Sequence, residues 1–171
     1  LRAAITRANK IIYQTARTQA NCEGMGTTVV AGLFCEDRLT IAHVGDSRLY
    51  RMRGTEFTQV TQDHSLMQEL VARGFYTPEE AQRAAAKNYV TRALGVENTV
   101  DVDVTEVPVE KGDVFLLCSD GISSQLVDPE IERCLELCSG GPAAAPRVLV
   151  ELANERGGED NSTALIVAIG R

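Results

Sequence analysis

Apolar residues in the first nineteen positions recur every three or four residues, the spacing of a helix with one buried face. From residue 27 the pattern changes to short runs of apolar and β-branched residues, which are typical of strands. The predicted elements are a helix from Leu1 to about Gln19 and strands at 27–35, 38–44, 49–53 and 57–61. Short turns join the strands, one of them at the polar pair Glu36-Asp37. The first part of the chain therefore predicts a helix followed by a β-meander.

The second part of the chain mixes helical signals with further strands. Ser65 and Gln68 form a capping box that begins one helix, and Gly74 ends it. Thr77-Pro78 begins a second helix, which runs to about Lys87. The remaining predicted elements are strands at 100–105, 114–118 and 163–169, and helices from Asp128 to about Leu137 and from about Pro146 to Arg156. Because the helices come in blocks separate from the strands, we predict the α+β class, with antiparallel sheets and helices packed outside them.

Composition and charge narrow the class of function. Seventeen Lys and Arg against 24 Asp and Glu give a net charge of −7, which argues against binding to a nucleic-acid backbone. With 171 residues, of which 44% are apolar, the chain is long enough for one domain with a sizeable core. It contains no run of about 18 apolar residues, so we expect no membrane span.

The five cysteines have the spacing neither of a metal site nor of a disulfide framework. Their number is odd, none forms a Cys-x-x-Cys pair, and the two histidines lie far from them in sequence. We therefore expect reduced, buried thiols and a cytoplasmic protein.

Three aspartates, Asp46, Asp120 and Asp160, stand at the ends of predicted strands beside glycine or other small polar residues. A carboxylate at the end of a buried strand is costly to desolvate unless it is paired or bound to a cation. Two carboxylates at ~4 Å repel each other by about 4 kcal/mol when the effective dielectric constant is about 20. A divalent cation removes that repulsion, and an all-oxygen ligand set favours the hard ions Mg²⁺ and Mn²⁺.

An ordinary turn is the alternative for each of these aspartates taken singly, since Asp and Gly are common turn residues. Four other aspartates fit that alternative well: Asp101, Asp103, Asp113 and Asp128. We expect the first two on a solvated strand face and the last at a helix cap.

His43, His64 and Arg92 have structural interpretations as well as chemical ones. His43 lies on an apolar predicted strand, which favours a buried structural imidazole. We expect His64 to order the turn into its helix, with a role as general acid as the less favoured alternative. For Arg92 an ion pair within the protein is favoured over a contact to phosphate.

Six short motifs occur in order along the chain, and their combination is far more specific than any one of them. They are Gly24-Met25-Gly26-Thr27-Thr28, His43-Val44-Gly45-Asp46-Ser47-Arg48, Thr61-Gln62-Asp63-His64-Ser65, Thr91-Arg92-Ala93-Leu94-Gly95, Ser119-Asp120-Gly121 and Asp160-Asn161-Ser162-Thr163. In this order and spacing, the whole chain resembles the metal-dependent protein phosphatases, known as PPM or type 2C serine/threonine phosphatases, in their compact bacterial form.

The resemblance implies a four-layer sandwich of two antiparallel β-sheets flanked by helices, with residues 1–171 in one domain and 63–88 as a flap beside the active site. By the motif match, Asp120 and Asp160 stand where the family has ligands of two core Mn²⁺ or Mg²⁺ ions. Asp46 stands where bacterial members bind a weaker, third ion. The neighbours Ser119 and Asn161 would orient the ligands.

The implied activity is hydrolysis of phosphoserine and phosphothreonine on proteins by a water that the metals activate. The implied partners are phosphorylated proteins, with a Ser/Thr kinase or its substrates as the natural counterpart. The alternative is a catalytically inactive, phosphatase-like domain that binds phosphorylated or regulatory partners. A third possibility is a domain that Mg²⁺ or Ca²⁺ only stabilises.

The sequence departs from the family pattern at its beginning. Members carry upstream an Arg that binds phosphate and an Asp-Gly-x-Gly-Gly segment whose Asp bridges the two core ions. Neither is present among these 171 residues, and Leu1 falls at about the helix that follows them. We therefore expect this chain to be the domain without its first strands, and to be a poor enzyme on its own.

Overall fold

A computed structural model describes residues 1–77, 80–81, 89–136 and 144–170. In it the chain divides into two units, each built on its own sheet. One unit comprises Leu1–Asp46 and Gln62–Val107, and the other comprises Ser47–Thr61 and Pro108–Arg171.

The helices and strands follow the predicted order. The helices are α1 (Arg2–Thr18), α2 (Leu66–Ala72), α3 (Asp120–Ser123), α4 (Asp128–Glu136) and α5 (Ala145–Glu155). The strands are β1 (Val29–Cys35), β2 (Arg38–Val44), β3 (Arg48–Arg53), β4 (Glu56–Gln59), β5 (Asp103–Pro108), β6 (Val114–Cys118) and β7 (Ala164–Ala168). Every strand except β5 lies within two residues of its predicted bounds.

The first unit contains a three-stranded sheet in the order β1-β2-β5. β1 and β2 form an antiparallel hairpin in which Cys35 is opposite Arg38 across the predicted polar turn. The periodic apolar face of α1 contributes Ile5 to the core, together with residues of β2. The buried core of this unit consists of Ile5, Ala42, Val44, Leu94 and Val102.

The second unit contains a four-stranded antiparallel sheet in the order β4-β3-β6-β7. β6 lies between β3 and β7, and its side chains are buried or half-buried on both faces of the sheet, which explains why its apolar run lacks the alternation of a half-exposed strand. α3, α4 and α5 pack with β3 and β6 in one core. Its buried members are Tyr50, Met52, Leu116, Cys118, Ile122, Leu126, Ile131, Cys134, Leu135, Leu149 and Ala153. The two antiparallel sheets with flanking helices confirm the predicted α+β class.

Tyr50 lies at the centre of the second unit and is fully buried. Its hydroxyl donates to Oδ1 of Asp128 at 3.3 Å and accepts from Nη1 of Arg48 at 2.8 Å. Its ring stacks on Phe57 with the centroids 5.1 Å apart. A buried hydroxyl needs such partners, since an unpaired one would cost about 1–3 kcal/mol. Asp128 was predicted only as a helix cap, but its carboxylate also accepts the hydrogen bond of this buried tyrosine.

Two helix starts were predicted from capping residues, and both are present. The Ser65 hydroxyl accepts the N–H of Gln68 at 3.3 Å. Thr77 and Glu80 form a reciprocal capping box, with N–H-to-side-chain distances of 2.8 and 3.2 Å. The rest of that predicted helix, to about Lys87, lies mostly outside the described residues, as do Leu137 and Cys138.

Three local predictions were wrong. β5 begins at Asp103 rather than near residue 100, because Val102 is drawn into the core of its unit before the strand starts, while Val104 is exposed. No helix was predicted where α3 lies. Cys35 is exposed at the end of β1 rather than buried. Among the described residues, no helix combines the length and hydrophobicity required to cross a membrane.

Candidate functional site

Two of the three candidate aspartates lie at one edge of the second unit's sheet. β6 and β7 are antiparallel neighbours, and Cys118, the last residue of β6, is opposite Ala164, the first residue of β7. Asp120 follows β6 by two residues, and Asp160 precedes β7 by four. Strand pairing therefore brings the two loops that carry these aspartates to the same edge, although 40 residues separate them in sequence.

Ser119 ties the two loops together. Its N–H donates to the carbonyl oxygen of Thr163 at 3.1 Å, and its hydroxyl accepts the N–H of Thr163 at 3.0 Å. The same hydroxyl donates to the carbonyl oxygen of Asn161 at 3.1 Å. One side chain thus fixes the segment that holds Asp160 against the segment that holds Asp120.

Gly121 allows the loops to approach this closely. A Cβ at this position would lie 2.5 Å from the carbonyl oxygen of Asn161, a distance that real Cβ atoms do not show. Any larger residue would therefore push the Asp160 loop away from the start of α3.

The two aspartates differ in exposure. Asp120 is the first residue of α3 and is half-buried, whereas Asp160 is exposed. Oδ1 of Asp160 accepts the N–H of Asn161 at 2.7 Å, which orients the carboxylate. The loop lines an open, polar pocket of about 420 Å³. Its lining residues are Val150, Asn154, Gly158, Glu159, Asp160, Asn161 and Ser162.

Asp46 belongs to the first unit, follows β2 by two residues, and is 9% exposed. The preceding residue, Gly45, has φ +108°, and a Cβ there would overlap the side chain of Thr28. Only glycine fits this close approach with this backbone conformation. The chain therefore presents Asp46 from a tightly constrained turn.

A second polar group in the first unit consists of His43, His64 and Asp103. Each offers one ligand atom within 4.8 Å of the others. The two imidazole rings stack with centroids 4.6 Å apart. Both histidines are buried, which confirms the interpretation of His43 as a buried imidazole.

Hydrogen bonds already use the ring nitrogens of this group. Nδ1 of His64 accepts the N–H of Gly45 at 3.0 Å, so the proton of the neutral ring is on Nε2. That nitrogen has no lone pair for a metal, and it lies 3.3 Å from Oδ2 of Asp103. Nε2 of His43 is bound to the carbonyl oxygen of Gln62 at 2.9 Å. The group is thus a hydrogen-bonded network rather than a ligand set.

Arg92 and Asp103 form the predicted type of internal ion pair, at 2.7 Å. Burial lowers the pKa of His64 below its usual range, although the hydrogen bond to Asp103 opposes this. Burial alone would raise the pKa of Asp103, but hydrogen bonds from His64 and Arg92 outweigh it and lower that pKa. Asp103 is exposed, as expected for a solvated strand face, but its ion pair with Arg92 and its contact with His64 were not predicted.

No local pattern around Asp103 indicates its contacts with Arg92 and His64. Its partners Arg92 and His64 are 11 and 39 residues away, and an aspartate on an exposed strand alternation is indistinguishable from a solvent-facing one. The motif Asp63-His64-Ser65 singled out His64, but it did not indicate Asp103 as the partner of His64.

The model of the family described as protein phosphatase 2C matches residues 1–152. The chain is 41% identical over 167 residues to the serine/threonine phosphatase Stp of Listeria monocytogenes, a match that covers 98% of this chain and 66% of that protein. This chain therefore spans just under two thirds of that relative's length.

Solved structures give the same result for the fold. The Mycobacterium tuberculosis serine/threonine phosphatase PstP aligns with a TM-score of 0.92 and 38% identity, over 100% of this chain and 72% of that one. A structure of the PstP catalytic domain in complex with two manganese ions aligns with a TM-score of 0.86 and 38% identity, over 99% of this chain and 70% of that one. These alignments cover nearly every residue of the chain, and the chain belongs to the protein phosphatase 2C family.

Proposed function

We propose that the protein hydrolyses phosphoserine and phosphothreonine in other proteins, with Mn²⁺ or Mg²⁺ as cofactor. The observation that carries this proposal is the hydrogen-bonded edge at which Ser119 joins the loops of Asp120 and Asp160. Family membership and the names of the relatives support it, since Stp and PstP are both called serine/threonine phosphatases.

The donor atoms at this edge suit a hard divalent cation. Asp120 and Asp160 offer carboxylate oxygens, and the N–H of Asn161 binds one oxygen of Asp160. We assign these two aspartates as ligands of two core ions and Asp46 as a ligand of a weaker, third ion. When bound, such ions lower the pKa of water and stabilise negative charge on a phosphoryl group.

Neighbouring residues of the chain position the two loops that carry Asp120 and Asp160. Ser119 ties the two loops together, and Gly121 permits their contact, so the segments that carry the two carboxylates are joined before an ion binds. This pre-organisation lowers the free-energy cost of gathering two anionic groups.

We further propose that residues 1–171 act as one phosphatase domain and that 63–88 forms a flap beside its active site. The substrates in this proposal are phosphorylated proteins, with a Ser/Thr kinase or its targets as counterpart. A cytoplasmic location agrees with the free thiols of Cys22 and Cys35.

The proposal is tested by a phosphate-release assay on the full-length protein that contains these residues. We expect phosphate release from phosphoserine and phosphothreonine peptides that requires millimolar Mn²⁺ and is abolished by a chelator. A phosphotyrosine peptide of the same sequence is the matched control and should be a much poorer substrate. Tight binding of the phosphothreonine peptide without turnover, at any Mn²⁺ concentration, would instead establish the inactive binding domain.

A further inference from the structure

We propose that His64 is a positioning residue: it holds the turn between Gly45 and Asp46, and through that turn it sets the affinity of the ion at Asp46. The inference rests on the proposed function in one respect, the assignment of Asp46 as a metal ligand. All residues of the argument belong to the first unit.

His64 holds Gly45 through both backbone polar groups of Gly45, the N–H and the carbonyl oxygen. The backbone N–H of His64 donates to the carbonyl oxygen of Gly45 at 2.9 Å, and the N–H of Gly45 donates to Nδ1 of His64 at 3.0 Å. A single residue from a distant part of the chain thus satisfies the donor and the acceptor that flank Cα of Gly45. The peptide group that leads into Asp46 starts from this doubly held residue.

Asp103 and Arg92 keep His64 in the state that this contact requires. The N–H of Gly45 can donate to Nδ1 only while that nitrogen carries no proton, so the proton of the neutral ring is on Nε2. Oδ2 of Asp103, at 3.3 Å, is the acceptor that faces this Nε2–H. Nη1 of Arg92 donates to Oδ1 of the same carboxylate at 2.7 Å and to the carbonyl oxygen of Asp101 at 3.2 Å. It also lies 3.1 Å from Nε2 of His64, to which it cannot donate while that nitrogen carries the proton. The carboxylate therefore selects the tautomer, and Arg92 fixes the carboxylate.

The segment around His64 is also anchored from its other side. Nε2 of His43, on β2, donates to the carbonyl oxygen of Gln62 at 2.9 Å, and the His43 ring stacks on the His64 ring. The N–H of Thr91 donates to the carbonyl oxygen of His64 at 2.8 Å. With these contacts, the imidazole has little freedom to turn away from Gly45.

The same geometry argues against the role of general acid that the sequence left open for His64. The transferable proton on Nε2 points to Asp103, and the side chain is only 7% exposed. A positioning role and an acid role predict different kinetic changes, which makes them separable.

Two substitutions of His64 separate the contact of Nδ1 with Gly45 from the contact of Nε2 with Asp103. His64→Asn places a carbonyl oxygen near the position of Nδ1, where it can still accept the N–H of Gly45, but it does not reach Asp103. His64→Gln places its amide near the position of Nε2, where it can donate to Asp103, but it leaves the N–H of Gly45 without its acceptor. The two variants are matched in chemistry and differ by one methylene.

The first measurement is amide hydrogen exchange of Gly45 by NMR, on metal-free folded protein with each variant's thermal unfolding recorded alongside. We expect exchange at Gly45 to accelerate about tenfold or more in His64→Gln and to stay within about threefold of wild type in His64→Asn, as expected for loss of one hydrogen bond. Unchanged protection in His64→Gln, or equal loss in both variants, would overturn the positioning role.

The second measurement is the Mn²⁺ dependence of activity in the full-length protein. We expect His64→Gln to raise the Mn²⁺ concentration for the weaker, third-ion phase by about tenfold with kcat at saturating Mn²⁺ retained, and His64→Asn to restore the wild-type curve. A fall in kcat at saturating Mn²⁺ with an unshifted curve would overturn the inference in favour of an acid. If Asp46→Asn binds Mn²⁺ as wild type does, the ligand assignment under the proposed function fails, whereas the exchange result at Gly45 still decides whether His64 holds the turn.

Discussion

Ser119 and Thr163 are joined by a pair of hydrogen bonds: the N–H of Ser119 donates to the carbonyl oxygen of Thr163 at 3.1 Å, and the N–H of Thr163 donates to the Ser119 hydroxyl at 3.0 Å. Only the first of these resembles a continuation of the strand ladder, since the second uses a side chain. The ladder therefore ends at Ser119, and the chain is released into the two loops that bear Asp120 and Asp160.

Removal of that hydroxyl should loosen both loops at once. We expect Ser119→Ala to lower the free energy of unfolding by about 1–2 kcal/mol, because the hydroxyl makes two hydrogen bonds. The affinity for Mn²⁺ should fall about tenfold, because the two loops that carry the carboxylates lose this connection. Urea denaturation and isothermal titration calorimetry measure the two effects. Ser119→Thr keeps the hydroxyl and is the control; if it behaves like Ser119→Ala, the contact is not the cause.

Loss of either core aspartate should abolish hydrolysis. We expect Asp120→Ala and Asp160→Ala each to reduce Mn²⁺-dependent hydrolysis of a phosphothreonine peptide or p-nitrophenyl phosphate by at least ~10³ in the full-length protein. Stabilisation of transition-state charge by a metal ion accounts for several kcal/mol, which is the origin of this figure. Asp101→Ala, at an exposed side chain, is the control and should change little. More than a tenth of wild-type activity in either core variant would contradict the assignment.

Asp46 should behave differently from the core pair. If it serves only the third ion, Asp46→Ala leaves the ligands of the two core ions in place. We expect a folded protein with partly reduced activity and an altered Mn²⁺ dependence. Isothermal titration calorimetry tests this directly, and loss of the tight sites in this variant would show that Asp46 belongs to the core.

Asp113 should make stability depend on pH. Its buried carboxylate accepts from Nε and Nη2 of Arg53, both at 2.7 Å. Burial alone would raise the pKa of Asp113, but the hydrogen bonds from Arg53 outweigh it and hold that pKa below its usual range. The contribution is therefore fully present above the unfolded pKa of about 4 and is lost as the pH falls through the lower pKa of the folded state.

The variant Asp113→Asn tests this linkage by urea unfolding at pH 7 and between pH 3 and 5. We expect a loss of about 3 kcal/mol at pH 7, as for one partner of a buried pair, and a flatter decline of stability below pH 4. Glu106→Gln removes an exposed ion pair with Arg38 and serves as the matched control, with a much smaller effect at pH 7. An identical acid decline in Asp113→Asn and wild type would exclude Asp113 as its source.

Local signals in the sequence were sufficient where local contacts decide the structure. The capping hydroxyl of Ser65, the β1–β2 hairpin and the apolar run of β6 all depend on neighbours within a few residues, and each was predicted. The resemblance supplied Asp120 and Asp160, and strand pairing gives the reason that their loops meet.

Contacts between distant residues were not accessible in this way. β5 starts late because Val102 is buried in the core, and the exposed Asp103 contacts His64 and Arg92. Neither outcome follows from alternation along the strand, because each depends on segments whose positions are set by the tertiary fold.

The burial of Tyr50 gives the second unit a built-in optical reporter. The chain has four tyrosines and no tryptophan, and the other three tyrosines are exposed or half-exposed. Burial raises the pKa of the Tyr50 hydroxyl far above its ordinary value, although Arg48 opposes this. In an alkaline titration followed by phenolate absorbance, Tyr50 should therefore ionise only when its unit unfolds. The last step of the titration curve would then report the unfolding of the four-stranded sheet.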